Sequence, residues 1–202
     1  MTSETLLEKL QRVSFATLGH VLEEGFVDAQ VACLLSGVKL VGRARTVSVF
    51  DSDAIAINQA LAGLLPGDVL VIDMQGNRRH ACVGTVTACA ARARGALGIV
   101  IDGMATDVLE LRQAGLPVFA RGTSLLTTKL RGNGRSVIDG PVDIGGVRVQ
   151  PGDWVLGDDN GLLIAGSDVL ADIIDQALAS DAAEPQLLER LQAGEAVLRV
   201  AL

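Results

Sequence analysis

The chain has 202 residues, of which 49% are hydrophobic, and it contains 23 glycines but only four phenylalanines and one tryptophan. A chain of this length and composition is typical of one large folded domain with a core of small apolar side chains. Its 17 basic and 24 acidic residues give a formal net charge of −7. That charge excludes an extended basic surface for phosphates, so we expect no nucleic-acid partner.

The apolar runs and the first residues indicate where the protein resides. No apolar run approaches the length of a membrane span, so we expect no membrane partner. The segment Met1–Lys9 is polar and acidic, where a signal peptide is basic and then apolar. We therefore expect a cytoplasmic protein.

The three cysteines give little sign of shared chemistry. Cys33, Cys82 and Cys89 are odd in number and lack a paired short spacing, which argues against a disulfide framework and a zinc site. Buried thiols are the simpler interpretation. A reactive role stays open for Cys82 and Cys89, because they flank the candidate site described below.

The first quarter of the chain passes from helix to sheet. Residues 4–12 carry leucines at helical spacing, and Ser14 is a candidate cap for a second short helix that runs up to Gly25. From Val38 to Phe50 the alternation of apolar and polar residues predicts one or two strands, with a bulge or bend at Gly42.

One sequence pattern, a turn followed by a strand, occurs twice. Asp51–Asp53 is predicted to be a loop and cap that starts a helix, and Leu65–Asp73 follows as a turn that leads into a buried strand. A similar phrase recurs at Pro151–Asp158. The repeat is too short for a solenoid, so it predicts two equivalent strand entries in one mixed sheet.

An alanine-rich helix is predicted from Thr85 to Arg94, directly after Gly84. At its N-terminus the free backbone N–H groups of Val86 and Thr87 form a natural pocket for a small carboxylate or phosphate. An ordinary threonine cap is the simpler alternative at this position.

The next segment holds the strongest candidate for chemistry. Leu97–Ile101 is predicted to be a buried strand that ends in a turn at Asp102–Gly103, and a helix over Val108–Ala114 follows. Asp107 lies between the turn and that helix. Carboxylates near the carboxyl ends of buried strands are common in α/β sites, although Asp107 could simply cap the helix.

The remainder of the chain returns to sheet and closes with helices. Leu116–Arg121 is predicted to be a strand, and Pro141–Leu163 holds two or three short antiparallel strands. Ser167–Ala179 and Glu184–Ala193 are predicted to be two amphipathic helices.

No composition shift marks a linker. We therefore expect a single domain over residues 1–202. Its core spans about residues 14–166, and the C-terminal helices of residues 167–202 form an arm that could pack on a neighbouring subunit.

The segments from Ser14 to about Gly166 resemble the RraA-like family. That family includes the regulator of ribonuclease activity A and divalent-metal-dependent class II aldolases that cleave 4-hydroxy-4-methyl-2-oxoglutarate. The resemblance implies an α/β fold of the swivelling β/β/α type, with a mixed-sheet core, a helical N-terminus and a C-terminal helical arm. It also implies homotrimers or dimers of trimers with active sites between subunits. The matching segments are Leu65–Asp73, Ala91–Gly95, Gly98–Gly103, Gly115–Gly122, Pro151–Asp153 and Asp158–Gly161.

The aldolase motif of the family is only half present. It consists of an acidic residue, twenty intervening residues, Arg-Asp, two more residues and an acid. Asp107 and Glu110 match it, whereas Thr85 and Thr106 stand where the first acid and the arginine are expected. Threonine cannot supply the bidentate contact of an arginine, whose loss in a desolvated site costs roughly 3 kcal/mol of transition-state stabilisation.

The resemblance also implies roles for individual residues. Asp107 would hold a divalent metal, Mg²⁺ or Mn²⁺, directly or through water. Glu184 aligns with a C-terminal glutamate that reaches a neighbour's site in the aldolases, and it joins Thr85 and Thr106 as the catalytic candidates. The substrate-binding candidates are Gly84, Thr85, Val86, Thr87 and Thr106, with the N–H groups of Val86 and Thr87 on the pyruvyl carboxylate.

Four further residues could restore the missing charge or base. They are His20, Arg78, Arg79 and His80.

Three hypotheses about function follow. The first is a metal-dependent lyase that acts on a small 2-oxo acid by retro-aldol cleavage or decarboxylation through an enolate. The second is a catalytically silent scaffold or regulatory binding protein that has lost the arginine and the acid. The third is a related enzyme with an altered reaction, such as an isomerase or a specialised lyase, for which the two threonines suit a less charged substrate.

Overall fold

The structure is a computed structural model that describes residues 5–132 and 134–196. The chain divides into two compact units. The helical unit consists of the described residues up to Glu23 and from Ser167 on, and the sheet unit consists of Glu24–Gly166. The helices are α1 (Leu6–Arg12), α2 (Phe15–Leu18), α3 (Ala54–Ala62), α4 (Thr85–Ala93), α5 (Val108–Ala114) and α6 (Ser167–Gln192).

The strands all belong to the sheet unit. They are β1 (Ala32–Cys33), β2 (Leu40–Ser48), β3 (Asp68–Asp73), β4 (Ala81–Val83), β5 (Gly98–Ala105), β6 (Val118–Thr123), β7 (Val137–Ile138), β8 (Val142–Ile144), β9 (Val147–Val149), β10 (Trp154–Asp158) and β11 (Gly161–Ala165).

In the helical unit, a single aspartate on α6 holds the start of α2. Asp181 accepts a hydrogen bond from the backbone N–H of Ser14 at 2.7 Å and another from the Thr17 hydroxyl. The prediction for α2 was only partly right, because the helix ends at Leu18 and Ser14 makes no side-chain cap bond. The long-range partner on α6 replaces the local cap that the sequence favours.

The C-terminal segment differs from its prediction. The structure has the one helix α6 in place of two, and Pro185 lies inside it. The residues between the two predicted helices include Ala182 and Ala183, which favour helix, so no break forms there. Among the described residues, no helix combines the length and the apolarity needed to cross a membrane.

The sheet is mixed, as predicted. Its main path runs β1-β6-β5-β3-β2-β10-β11, while β4 pairs with β5 and β7 pairs with β2. Strands β2, β3, β5 and β6 run parallel to one another, whereas β1 pairs antiparallel with β6, and β10 pairs antiparallel with both β2 and β11. Strands β8 and β9 form a separate hairpin. The mixed sheet, the helical N-terminus and the C-terminal helix agree with the predicted fold class.

The repeated turn places two strands on either side of β2. Asp68 accepts the N–H of Leu65 at 2.9 Å, and Asp153 accepts the N–H of Gln150 at 2.7 Å, so both turns are closed by the same bond. The strands that follow, β3 and β10, pair with β2 in parallel and antiparallel orientation respectively. The prediction of two equivalent strand entries is therefore confirmed.

Two glycines have different roles from those predicted. Gly42 keeps regular pairing opposite Val155, so β2 has no bulge there. An added Cβ at Gly42 would lie 2.7 Å from Val69 Cγ2. Close packing therefore explains why this position holds a glycine. The predicted turn at Asp102–Gly103 is also wrong, because β5 runs on to Ala105 and Gly103 makes room for Met74.

The strands carry an apolar cluster on each face. One cluster joins the sheet to α3, α4 and α5 through buried side chains such as Leu70, Ile101 and Leu111. The other includes Val71 and Phe119, together with apolar residues of the β8–β9 hairpin. The sheet is therefore covered on both faces, which leaves the strand ends as the part of the sheet where a site can be open to solvent.

A partly buried ion pair joins the β8–β9 hairpin to the sheet. The guanidinium of Arg121 pairs with Asp102 and, at 2.8 Å, with Asp28, while Asp102 also accepts the N–H of Gly145 at 2.7 Å. Burial alone would raise the pKa of Asp102, but the hydrogen bonds from Arg121 and Gly145 outweigh it and hold that pKa below its ordinary value. The pair is worth testing because its Arg121 side chain is only 6% exposed.

Replacing Arg121 with methionine should lower the free energy of unfolding by about 2 kcal/mol at pH 7, since it leaves the partly buried Asp102 carboxylate without its cation. A lowered pKa means that the ionised carboxylate stabilises the fold above about pH 4, and that this stabilisation is lost as the pH falls through the folded-state pKa. Urea unfolding should therefore show the difference between wild type and variant shrinking below about pH 4.

Arg148→Met is the matched control, because Arg148 pairs with Asp143 on the surface and its side chain is 55% exposed. It should change stability by less than about 1 kcal/mol at any pH. Equal losses in the two variants would contradict the assignment of the partly buried pair.

Candidate functional site

A pocket of about 180 Å³ lies in the sheet unit, at the ends of β4 and β5. Its walls come from β4, the first turn of α4, the residues after β5 and a short extended segment after β6. The lining residues are Ala81, Cys82, Val83, Gly84, Val86, Thr87, Thr106, Asp107, Thr127 and Thr128.

Strand pairing brings together the two parts of the aldolase motif, position 85 and positions 106–107. β4 runs parallel to β5, with Val83 opposite Ala105, and the N–H of Thr106 donates to the carbonyl of Val83 at 2.8 Å. The residues that leave these strands, Gly84 and Thr106, therefore come into contact. This is the strand-end arrangement that the sequence predicts for a site in an α/β sheet.

Asp107 connects the two helices that border the pocket. Its backbone has the left-handed conformation at φ 55° and starts α5, but its side chain makes no cap bond to α5. Instead, Oδ2 accepts the N–H of Thr85 at 2.9 Å, and Oδ1 accepts the Thr106 hydroxyl at 3.3 Å. The alternative that Asp107 simply caps α5 is therefore wrong, because the carboxylate serves the N-terminus of α4.

Gly84 allows this contact. It is the N-cap residue of α4, and a Cβ added there would overlap the Asp107 carboxylate and lie 2.8 Å from Thr106 Cγ2. A carboxylate at this position is also favoured electrostatically, because the α4 N-terminus carries a partial positive charge. The simpler alternative, in which a threonine side chain caps α4, is wrong, because the N-cap residue is Gly84 and Asp107 accepts the first N–H of the helix.

Most of the predicted site residues line the pocket. Gly84, Val86, Thr87, Thr106 and Asp107 are all part of its wall. Thr85 is not among the lining residues, and it takes part through its backbone N–H.

Glu184 belongs to the helical unit and is an exposed residue of α6. Its catalytic role, which would involve a neighbouring subunit's site, stays a prediction.

Sequence reasoning missed one wall of the pocket. The segment around Thr127 runs beside β4, since Ala81 donates its N–H to Leu126 at 2.7 Å and accepts that of Thr128 at 3.0 Å. Thr127 and Thr128 thus add two hydroxyl-bearing residues to the lining. The only local signal is a threonine pair in a loop, and its partner Ala81 is distant in sequence.

The cysteines offer no activated thiol in the pocket wall. Cys82 lines the pocket, but burial raises its pKa to about 12, so the thiol stays protonated at neutral pH. Cys89 is exposed on α4 and Cys33 is partly buried on β1. The interpretation of Cys82 as a buried thiol is confirmed, whereas Cys89 is not buried.

The residues considered as substitutes for the missing charge lie outside the pocket wall. His80 is held by Asn77 at 3.1 Å, and Arg78 donates to Gln30 at 3.4 Å. Arg79 is not a lining residue either, and His20 belongs to the helical unit.

The donor set for a metal is small. Within residues 5–132 and 134–196, no group of three or more histidine, cysteine, aspartate or glutamate side chains is placed to hold an ion. Asp107 is the one carboxylate of the pocket wall. Such a wall cannot form a closed zinc site, but it suits a hard cation that keeps most of its waters and binds one carboxylate.

The comparisons with known proteins agree with this fold. A family model described as "Aldolase/RraA", of the RraA-like type, matches residues 16–164. A protein of Halalkalibacterium halodurans, provisionally named 4-hydroxy-4-methyl-2-oxoglutarate aldolase, is 36% identical over 126 residues, which are 62% of this chain and 59% of that protein. A protein of Albidiferax ferrireducens with the same provisional name is 39% identical over 56% of this chain and 64% of its own length.

The chain thus spans less than two thirds of either relative's length. A solved structure from Streptomyces coelicolor, described as an unusual member of the RNase ES inhibitor RraA protein family, superposes with a TM-score of 0.80 at 28% identity. That similarity covers 94% of this chain and all of the other.

Gly84→Ala should displace the Asp107 carboxylate from α4, because the added methyl group overlaps it. Without its acceptor, the Thr85 amide should exchange with solvent about tenfold faster, as expected for one lost charge-assisted hydrogen bond. Amide exchange followed by NMR measures this directly. Gly166→Ala is the control, since its added Cβ would meet only Asp153 Oδ1 at 3.9 Å. Unchanged Thr85 exchange in Gly84→Ala would contradict the contact.

Proposed function

Since the chain belongs to the RraA-like family, we propose that it is a divalent-metal-dependent lyase of the aldolase branch that acts on a small 2-oxo acid. The reaction would be retro-aldol cleavage or decarboxylation, and pyruvate would be its common product. The observation that carries this proposal is the position of Asp107, which lines the pocket and whose carboxylate lies at the N-terminus of α4.

Asp107 is the residue that would hold the metal. Its Oδ2 and Oδ1 each accept one hydrogen bond, and each carboxylate oxygen has a further lone pair for a cation or for a cation's water. The bond to Thr85 fixes the orientation of the carboxylate, so little ordering is left for binding. When bound, Mg²⁺ or Mn²⁺ supplies a Lewis acid for the keto oxygen of the substrate.

The first turn of α4 would bind the carboxylate of the oxo acid. Asp107 takes the N–H of Thr85, which leaves Val86 and Thr87 as the lining residues whose N–H groups belong to that turn. A negative substrate that approaches them also approaches Asp107. The repulsion is removed only if a cation lies between the two carboxylates, so the binding of metal and oxo acid should be coupled.

Thr106 would act differently from the arginine of the family motif. Its hydroxyl donates to Asp107, so it helps to hold the metal-binding carboxylate and brings no positive charge to the substrate. Developing negative charge on the substrate would then be stabilised less strongly than in an arginine-containing site. We therefore expect slow turnover compared with a site that has the complete motif.

Self-association would complete the site. Three large, strongly exposed apolar side chains belong to the segments that form the pocket: Val86, a lining residue, at 84%, Leu109, two residues after Asp107, at 68%, and Leu125, two residues before Thr127, at 98%. Exposed apolar side chains grouped around one site are typical of a surface that another molecule covers. We propose that a second copy of the chain covers it, within a homotrimer or a dimer of trimers.

With Mg²⁺ present, the protein should release pyruvate from 4-hydroxy-4-methyl-2-oxoglutarate or from oxaloacetate. Removal of the metal with EDTA should abolish this activity, and Asp107→Asn should lower kcat/KM at least about a hundredfold, since it removes the charge that holds the cation. A coupled assay for pyruvate measures the rates. Asp143→Asn, which alters an exposed carboxylate outside the pocket wall, is the control. Absence of pyruvate from both substrates would contradict the proposed lyase.

Leu125→Asp should shift the protein toward smaller species in sedimentation velocity, because it places a charge on the proposed contact surface of Val86, Leu109 and Leu125. Leu65→Asp is the matched control, since Leu65 is also exposed, at 61%, but precedes the turn before β3. An identical distribution for wild type and Leu125→Asp would count against this surface as the contact between copies.

A second candidate function is supported by two observations. Thr85 and Thr106 replace two of the four charged residues of the motif, and the Streptomyces coelicolor relative is described as belonging to an RNase inhibitor family. Both favour a catalytically silent regulatory protein that keeps the scaffold. A defined protein partner recovered together with an absence of metal binding would support it, whereas metal-dependent turnover would exclude it.

A further inference from the structure

The pocket wall contains a carboxylate but no cation. Among its described lining residues, Asp107 carries a negative charge and none is a lysine or an arginine. A dicarboxylic oxo acid would place its second carboxylate beyond the metal. Without a cation there, that second charge would gain nothing from the pocket and would be repelled by Asp107.

Lys129 has a fixed backbone beside the pocket. Its N–H donates to the carbonyl of Ser52 at 3.1 Å, and its own carbonyl accepts the N–H of Ala54 at 2.9 Å. Two residues earlier, Thr127 is bridged to Ala81 of β4. The segment that carries Lys129 is therefore held at both ends by tertiary hydrogen bonds.

The side chain of Lys129 points toward the pocket wall. In an extended segment, residues two apart lie on the same side, so Lys129 shares the side of Thr127. The ammonium Nζ of Lys129 donates to Thr127 Oγ1 at 3.3 Å, and Thr127 lines the pocket. The cation therefore contacts the side chain of a residue that lines the pocket.

The charge of Lys129 is available for a ligand. Over residues 5–132 and 134–196, no carboxylate forms an ion pair with Lys129. By contrast, Arg121 is committed to Asp102 and Asp28. An ammonium on a flexible stem whose present partner is a neutral hydroxyl can move to an incoming carboxylate at little cost.

We propose that Lys129 is a substrate-binding residue that recognises the distal carboxylate of a dicarboxylic 2-oxo acid. This inference rests on the proposed function, because it assumes that the oxo-acid end of the same ligand binds at Asp107 and α4. It makes the site selective for dicarboxylic over monocarboxylic oxo acids. This chain lacks the arginine that the family motif has at position 106. Lys129, in the segment after β6, would supply a positive charge instead, and that charge would bind the distal carboxylate of the substrate.

The test uses two oxo acids that cannot undergo retro-aldol cleavage. Pyruvate has one carboxylate and 2-oxoglutarate has two, and calorimetry with Mg²⁺ measures the Kd of each. Lys129→Met removes the charge and keeps most of the stem, and Lys129→Arg keeps the charge. Lys39→Met is the matched control, because Lys39 is an exposed lysine of the same unit that does not line the pocket.

Lys129→Met should weaken 2-oxoglutarate binding about tenfold, as expected for one charge-assisted hydrogen bond, and change the Kd of pyruvate less than about twofold. Lys129→Arg should recover most of the lost affinity, and Lys39→Met should match wild type. If wild type binds both acids and Lys129→Met binds 2-oxoglutarate equally well, the role of Lys129 is wrong while the proposed function stands. If wild type binds neither acid, the proposed function fails and the role of Lys129 fails with it.

Discussion

The Asp107 carboxylate lies against the first backbone N–H of α4, and the pocket is arranged around that contact. Gly84 permits the contact because it has no side chain, and the pairing of β4 with β5 brings the two residues together. The carboxylate compensates the positive end of the α4 dipole. The same negative charge opposes any anion that approaches the first turn, so a cation is the natural partner of an anionic ligand here.

The charges of this pocket are distributed differently from those of the family motif. Thr106 replaces an arginine and donates a hydroxyl to Asp107, while Thr85 replaces an acid and contributes a backbone N–H. The side chain of Thr106 therefore holds Asp107, whereas the backbone N–H at position 85 would hold it with any side chain there. A cation that touches the pocket wall is Lys129, whose ammonium donates to the hydroxyl of Thr127. Such a site keeps the carboxylate that we propose as the metal ligand but lacks part of the charge that would stabilise a transition state.

Local signals in the sequence were sufficient where the partner of a residue is close in the chain. The two Pro-Gly-Asp turns are closed by bonds over three residues, and α3 starts at Asp53, which caps it through the N–H of Ile55. Predictions failed where the partner is distant. Asp-Gly is a turn signal, yet Gly103 lies inside β5 because Met74 packs against it. Asp107 precedes a helix, yet its carboxylate serves a different helix.

The pocket wall formed by Thr127 and Thr128 was not predicted for the same reason. Nothing around Thr127 indicates that it runs beside Ala81, because the bonds between them are made by backbone atoms that every residue has. The site was therefore predictable as a strand-end carboxylate beside a helix N-terminus, while its second wall and its cation were not.

The coupling between metal and oxo acid is open to direct measurement by calorimetry of Mg²⁺ binding, with and without pyruvate, on wild type and on Asp107→Ala. The account predicts that wild type binds Mg²⁺, that pyruvate tightens this binding, and that both effects disappear in the variant. Binding of Mg²⁺ that pyruvate leaves unchanged, or that survives the loss of the Asp107 carboxylate, would contradict it.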